Sequence, residues 1–238
     1  MAQTGSTKKP ARAYRGIAPE QRTAERQQRL LAAGLELFAR QGYARTTIEQ
    51  LCAEAKVTAR HFYAIYPSRE ALLTDLYDRI LQDLREASLV AINAPDQSFE
   101  AKIPRAMQAL ITHYLADSRL ARVGVLESVG VSAAMEKRRR AAIHDMAGII
   151  EGYVNTMVSR GELPAHNYHL VCVALVGGIN ELLAEWLTVP EPPSIALLSH
   201  EITRIFYALI RGSAVLPPTL LTQELPTRQP SRFPASAA

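Results

Sequence analysis

The chain has 238 residues, of which 48% are apolar, 21% charged and 6% aromatic, and a formal net charge of +4. That is enough chain for one large domain or two modest ones, too apolar for a disordered protein, and, with only Cys52 and Cys172, unable to build a disulfide framework. Residues 1–70 hold 12 Lys+Arg against 6 Asp+Glu, a net of +6, and residues 71–238 hold 15 against 17, a net of −2. A basic module that meets a polyanion, joined to a module that does not, has this asymmetry. The N-terminal MAQTGSTKKPARAYRG has no apolar core of a secretory signal, so a reducing, cytoplasmic setting is expected. The longest apolar run, LVCVALVGGI, falls short of the roughly 18 residues a membrane-spanning helix needs, so no membrane partner is expected.

Proline divides the chain. None occurs between Glu20 and Tyr66 or between Arg105 and Leu163, which leaves room for long helices. Residues 1–18 read as a flexible basic arm and residues 216–238 as a flexible tail. Helical spacing recurs throughout, which predicts an all-α chain. The first helix is expected over Pro19–Gln41, with Leu30, Leu31, Leu35, Leu37 and Phe38 as its stripe and Gly42 as its stop. Thr46 or Thr47 begins a short second helix, with Glu49 or Gln50 completing a capping box. Ile48, Leu51, Cys52 and Ala55 form its buried face. After a turn at Lys56-Val57, Thr58 caps a third helix expected to run to about Tyr66, with Phe62 inward; Pro67 ends it.

Two short helices separated by a tight turn and braced by a longer one form a helix-turn-helix unit. The second short helix exposes Ala59, Arg60, His61, Tyr63 and Ala64 between its core positions. Arg60 lies in the first turn, where the helix dipole disfavours a cation by roughly 0.3–1 kcal/mol, so stability gives it no reason to be there. An anionic partner does: arginine grips phosphate or reads guanine in the major groove. His61 and Tyr63 can reach phosphates or base edges, and Thr46, Thr47 and Thr58 offer hydroxyls and neighbouring amides to phosphate.

The stretch ERQQRLLAAGLELFARQGYARTTIEQLCAEAKVTARHFYAIYPSREALLTDLYDRI resembles the DNA-binding domain of the TetR family of transcriptional regulators. The resemblance is carried by Ala32, Ala33, Leu37, Phe38, Gly42, Tyr43, Thr46, Thr47, Ile48, Ala53, Ala55 and Val57, and then by Phe62, Tyr63, Tyr66, Pro67, Ser68, Glu70, Ala71 and Leu72. It implies a homodimer whose subunits have a three-helix head, a connecting fourth helix and a larger helical body that binds a small effector. On that likeness Thr46 and Thr47 contact the DNA backbone, Arg60, His61, Tyr63 and Ala64 face the major groove, and Arg69 holds a phosphate. The chain departs from the pattern twice. Lys56 stands where glycine is usual, which makes a left-handed turn harder and adds a cation. Ile65 stands where an aromatic phosphate contact is common, so Tyr63 or the arm residues Arg12, Arg15 and Arg22 are expected to supply affinity.

The domain arrangement read from the sequence is an arm (1–18), a helix-turn-helix domain (19–67, within a family-type domain of about 23–83, motif about 46–65), an effector and dimerisation domain (68–215) and a tail (216–238). In the body, a connecting helix is expected from Ser68 to about Ile92, then helices over 98–116, 119–128, 132–160, 168–187 and 194–211. Lys137-Arg138-Arg139-Arg140 reads as a solvated helix face. Val173, Gly177, Gly178 and Glu181 on one helix, with Ile202, Ile205, Phe206 and Leu209 on the last, are expected to build an intersubunit four-helix bundle. The expected pocket is formed by Tyr77, Met107, Leu110, Tyr114, Leu126, Met146, Ile150, Tyr153 and Trp186, with His113 and Glu127 as polar anchors. These residues suit a small apolar or aromatic effector. No nucleotide-binding, hydrolase or zinc-protease motif occurs, and His166/His169 alone do not make a metal site, so no catalytic residue, metal or cofactor is expected. A repressor is thus expected, released from operator DNA by its effector. A DNA-binding regulator without an effector and an α-helical enzyme are the alternatives.

Overall fold

The computed structural model describes residues 19–93, 99–213 and 215. The expected arm, with Arg12 and Arg15, and the expected tail lie outside them. Among the described residues every regular element is helical: α1 (Pro19–Gln41), α2 (Ile48–Ala55), α3 (Ala59–Tyr63), α4 (Arg69–Ile92), α5 (Phe99–Ala116), α6 (Ser118–Arg122), a π-helical turn (Val123–Glu127), α7 (Ala133–Ser159), α8 (His169–Thr188) and α9 (Ile195–Ser213).

The head folds around Leu30, Leu31, Leu37 and Phe38 of α1, Leu51 of α2 and Phe62 of α3, all buried. Each such side chain contributes roughly 1.5–3 kcal/mol on burial, and the face follows directly from the helical spacing. Gly42 ends α1 with φ +89°, and its N–H donates to the Phe38 carbonyl at 3.0 Å. Thr47 is the α2 cap: its hydroxyl accepts the Gln50 N–H, and the Gln50 side chain accepts the Thr47 N–H, a complete capping box. Lys56 closes α2 in the left-handed region (φ 53°, ψ 48°) despite its side chain. Its N–H bonds to Ala53, and its carbonyl accepts from Arg29, which hold the turn shut. Thr58 caps α3 as expected, but α3 stops at Tyr63 rather than Tyr66. The Ile65 and Tyr66 amides both return to the Phe62 carbonyl, a tight turn that suits a chain about to enter Pro67.

Ser68 caps α4, which leaves the head and enters the body with Leu72, Leu73, Leu76, Ile80 and Leu84 buried. In the body α4, α5, α7, α8 and α9 pack around a continuous apolar core, with α6 and the π-turn filling the corner nearest α1. Two deviations from the expected elements matter. The helix expected over 119–128 begins at Ser118 under an Asp117 cap and widens after Arg122 into the π-turn. And α8, at 20 residues, is long and apolar enough by length and composition to cross a membrane, because the apolar stretch resumes after Asn180-Glu181 with Leu182, Leu183, Ala184 and Trp186. In this fold it packs on α7 and α9 with Cys172, Leu175, Val176 and Leu183 buried. The cation run of α7 is largely exposed: Arg138 pairs with Asp78 of α4 at 2.6 Å, and Arg139 with Glu136 on α7 itself at 3.1 Å. Each module holds one buried free cysteine, Cys52 in the head and Cys172 in the body.

Candidate functional site

The surface of the helix-turn-helix follows from its caps. Because Thr47 and Thr58 are spent on starting α2 and α3, both helix starts are well ordered and exposed, and Ala59, Arg60 and Ala64 project with them. Tyr63 is 57% exposed, an unusual state for a large ring, and its inner edge rests T-shaped on Phe62 at 5.5 Å. His61 is half-buried and its Nδ1 lies 2.9 Å from the Thr58 hydroxyl, so one ring nitrogen is already engaged. Lys56 is exposed at the turn between the two helices. Together these present cation, aromatic ring and hydroxyl on one short face, the chemistry that meets phosphates and base edges.

Two expected contacts lie elsewhere. Thr46 is fully buried, and its hydroxyl donates to the Gly42 carbonyl at 2.9 Å. It therefore has nothing to offer a phosphate; adjacent threonines play different parts because the chain turns between them. Arg69 points back into the head. Its guanidinium donates to the Thr46 carbonyl and, at 3.5 Å, to the Ala44 carbonyl, and stacks 4.2 Å over the Tyr43 ring. It holds the turn before α2 rather than facing outward. Sequence reasoning missed Arg45, exposed beside the α2 start with its Nε donating to the Gln41 carbonyl at 2.6 Å. Its position in the link before a capped helix was the available signal.

The body encloses a cavity of about 120 Å³. Seven of the expected residues line it: Tyr77, Met107, Leu110, Tyr114, Met146, Ile150 and Tyr153. Four do not. His113 is exposed on the outer side of α5. Leu126 packs into the core away from the cavity, because the π-turn rotates it off the lining face. Trp186 donates its indole N–H to the Pro193 carbonyl at 2.8 Å, which turns it toward the α8–α9 connection. Glu127 faces the head: its Oε2 accepts the Tyr43 N–H at 2.8 Å, and its Oε1 lies 3.8 Å from Arg122 Nε. The cavity also takes Phe206, expected between subunits, and Asn180, Gly124 and Ser88, which were not foreseen. Asn180 falls on the Val176–Leu183 face of α8, so a polar residue in step with two buried ones was the signal. No Asp, Glu, Lys, Arg or His is among the described residues that line the cavity. Burial raises the Tyr114 and Tyr77 hydroxyls above their usual range, so both stay neutral donors.

Ile202 and Phe206 are buried within one subunit, since α9 turns that face toward α5. What remains bare is the other face: Leu170 of α8 and Leu197, Ile205 and Leu209 of α9 are exposed, Leu170 at 76%. Val173 and Gly177 are half-buried, Gly178 and Glu181 exposed, and a Cβ on either glycine would meet nothing within 4 Å.

Residues 30–76, from the middle of α1 to the first turns of α4, match the model of the bacterial regulatory proteins of the tetR family. Over those residues the chain resembles the tetR family. A 52-residue stretch is 35% identical to the HTH-type transcriptional regulator YuxN of Bacillus subtilis (strain 168), covering 22% of this chain and 18% of that protein. Solved tetR-like structures share the fold at low identity. The regulator FadR from Bacillus subtilis in complex with stearoyl-CoA is 16% identical with a TM-score of 0.66, over 78% of this chain and 98% of that one. The fatty acid degradation regulator FadR from Bacillus halodurans is 14% identical with a TM-score of 0.68, over 78% and 94%. A tetR-family regulator from Syntrophomonas wolfei is 16% identical with a TM-score of 0.68, over 82% and 99%. The tetR match and the helix-turn-helix geometry fall on the same residues.

Proposed function

We propose that this chain is a tetR-family regulator, a cytoplasmic, homodimeric repressor that holds operator DNA through the α2–α3 face and releases it when an apolar small molecule occupies the body cavity. The observation that carries DNA binding is the exposure of Arg60 and Tyr63 on a helix whose inner residue, Phe62, already supplies its packing. Neither outward side chain serves the core. Lys56, Thr47, Thr58, Ala59, His61 and Ala64 complete the face, and the exposed Arg45 beside it joins them.

The bare α8–α9 strip supports the dimer. Leu170, Leu197, Ile205 and Leu209 beside the open backbone of Gly177-Gly178 suit a second copy of the same strip, as a two-fold interface requires. That also accounts for the length and apolarity of α8 without a membrane.

The cavity supports an uncharged occupant. Neutral tyrosine hydroxyls, Ser88 and Asn180 are its polar side chains, so a buried carboxylate or ammonium finds no counter-charge. In the stearoyl-CoA bound to the Bacillus subtilis regulator the acyl chain is apolar and the CoA portion anionic, so only a chain of that apolar kind suits this lining. The volume of about 120 Å³ is near that of a cavity holding one benzene ring, about 150 Å³, and below the roughly 300 Å³ where ligand pockets begin. That small size favours one second reading, a regulator that holds DNA without any effector.

Fluorescence anisotropy with a labelled fragment from beside its own gene tests the reading. Saturable binding that outcompetes random DNA is expected, and Arg60→Ala should weaken it by about tenfold to a hundredfold, or 1–3 kcal/mol. Equal affinity for random DNA would sink operator recognition. Specific binding that no apolar compound alters would favour the effector-free reading.

A further inference from the structure

Gly124 and Glu127 share one turn but face different modules. Gly124 lines the cavity, where a Cβ built on it would fall 2.1 Å from the Tyr114 hydroxyl. Three residues on, Glu127 reaches out of the body and accepts the Tyr43 N–H at 2.8 Å. That amide lies two residues past the end of α1, beyond the Gly42 N–H that closes back on Phe38. Gly42 makes the approach possible: it takes φ +89°, and any Cβ there would stand 3.3 Å from Glu127 Oε2. The Tyr43 turn in turn sets the start of α2. Arg69 covers its ring, and the Thr46 hydroxyl and carbonyl tie the turn to Gly42 and to Arg69.

The turn itself is π-helical, Val123–Glu127. Such a turn carries one residue more than an α-turn over the same span and closes to α when that residue is drawn through. Advancing the register by one residue rotates a side chain by about 100°, enough to carry a carboxylate off an amide. We propose that the Val123–Glu127 turn couples the cavity to the DNA-binding head, with Glu127 as the positioning residue: an occupant that crowds Tyr114 against Gly124 drives the turn toward α, and Glu127 releases Tyr43. The coupling runs beside α4, through a contact 84 residues apart in sequence. It supplies two arrangements of one element that both sites bias, which is what coupling between sites requires.

This rests on the regulator reading above, yet its test needs neither DNA nor effector. Amide exchange at Tyr43 is followed by NMR in the full chain, with Leu51 of α2 as reference. Glu127→Ala should speed Tyr43 exchange on the order of tenfold to a hundredfold, while Glu127→Gln, which keeps an accepting oxygen, stays protected. Gly124→Ala, whose methyl strikes Tyr114, should match Glu127→Ala, and the two together should exchange no faster than either. Removing the struck hydroxyl, in Gly124→Ala with Tyr114→Phe, should restore protection. Ala142→Leu fills the cavity from α7 and serves if Gly124→Ala does not fold. Unchanged Tyr43 protection in a folded cavity-filling variant overturns the proposal. So do effects that multiply in the double variant, or a Leu51 amide that opens in step with Tyr43. A chain that passes this test but ignores DNA keeps the coupling and loses the regulator reading.

Discussion

Asp75 of α4 gathers three segments at one carboxylate. Its Oδ2 accepts from the Tyr66 hydroxyl and, at 2.9 Å, from Gln27 of α1, and its Oδ1 accepts from Arg79 at 3.0 Å. Burial alone would raise this carboxyl, but the hydrogen bonds from Tyr66, Gln27 and Arg79 outweigh it and hold the group below its ordinary value. A carboxylate so lowered adds stability that is full above its unfolded value near 4 and fades as pH falls through the folded one. Asp75→Asn should therefore cost about 1–3 kcal/mol at pH 7, read by urea unfolding. The gap should narrow as pH drops below about 4. A gap that is flat between pH 6 and 3 would show that the charge of Asp75 contributes nothing. Glu127 carries a different lesson at this scale. The sequence offers it as a polar anchor of the pocket, whereas it faces the head, and nothing local says which. Its direction is set by the π-turn, a register shift with no residue signature.

At the scale of elements, the caps made the chain readable. Pro19, Thr47, Thr58, Ser68 and Ser132 stand at or next to helix starts, and each can be read from residue type and spacing. Regular helices needed little more. The failures cluster where tertiary contacts choose among equally good local answers. Nothing local tells Thr46 from Thr47, and only the fold buries the first under α1. An apolar residue of α9 can face a neighbour helix or a second subunit, and periodicity does not distinguish them. Phe206 and Ile202 turned inward, while Ile205 and Leu209, one helical step away, stayed out. That division makes a sharp expectation. Ile205→Asp with Leu209→Asp should yield a folded monomer by sedimentation at micromolar concentration with its helical circular dichroism kept, because neither side chain serves the subunit core. Ile202→Asp should instead cost several kcal/mol and lose the fold. A wild-type chain that sediments as a monomer would remove the dimer.

Across the whole molecule, the split in charge between residues 1–70 and 71–238 matches a split in architecture. One apolar core runs through both halves: the head's smaller share lies around Phe38, Leu51 and Phe62, the body's is larger, and α4, Asp75 and the Glu127 contact join them. The single buried cysteine in each gives the molecule two built-in reporters. A thiol reacts as its thiolate, and both are shielded: burial, reinforced by nearby Glu49, raises the Cys52 thiol, and burial with Glu151 pushes Cys172 up to about 11. Each will be modified only when its own half opens. Pulsed alkylation in rising urea, read by peptide mass, should mark Cys52 before Cys172, since the smaller share of the core gives way first. Coincident labelling would mean that the two halves melt as one. The same two sulfurs then become a native gauge of how strongly the helix-turn-helix half leans on the other, without a single residue being replaced.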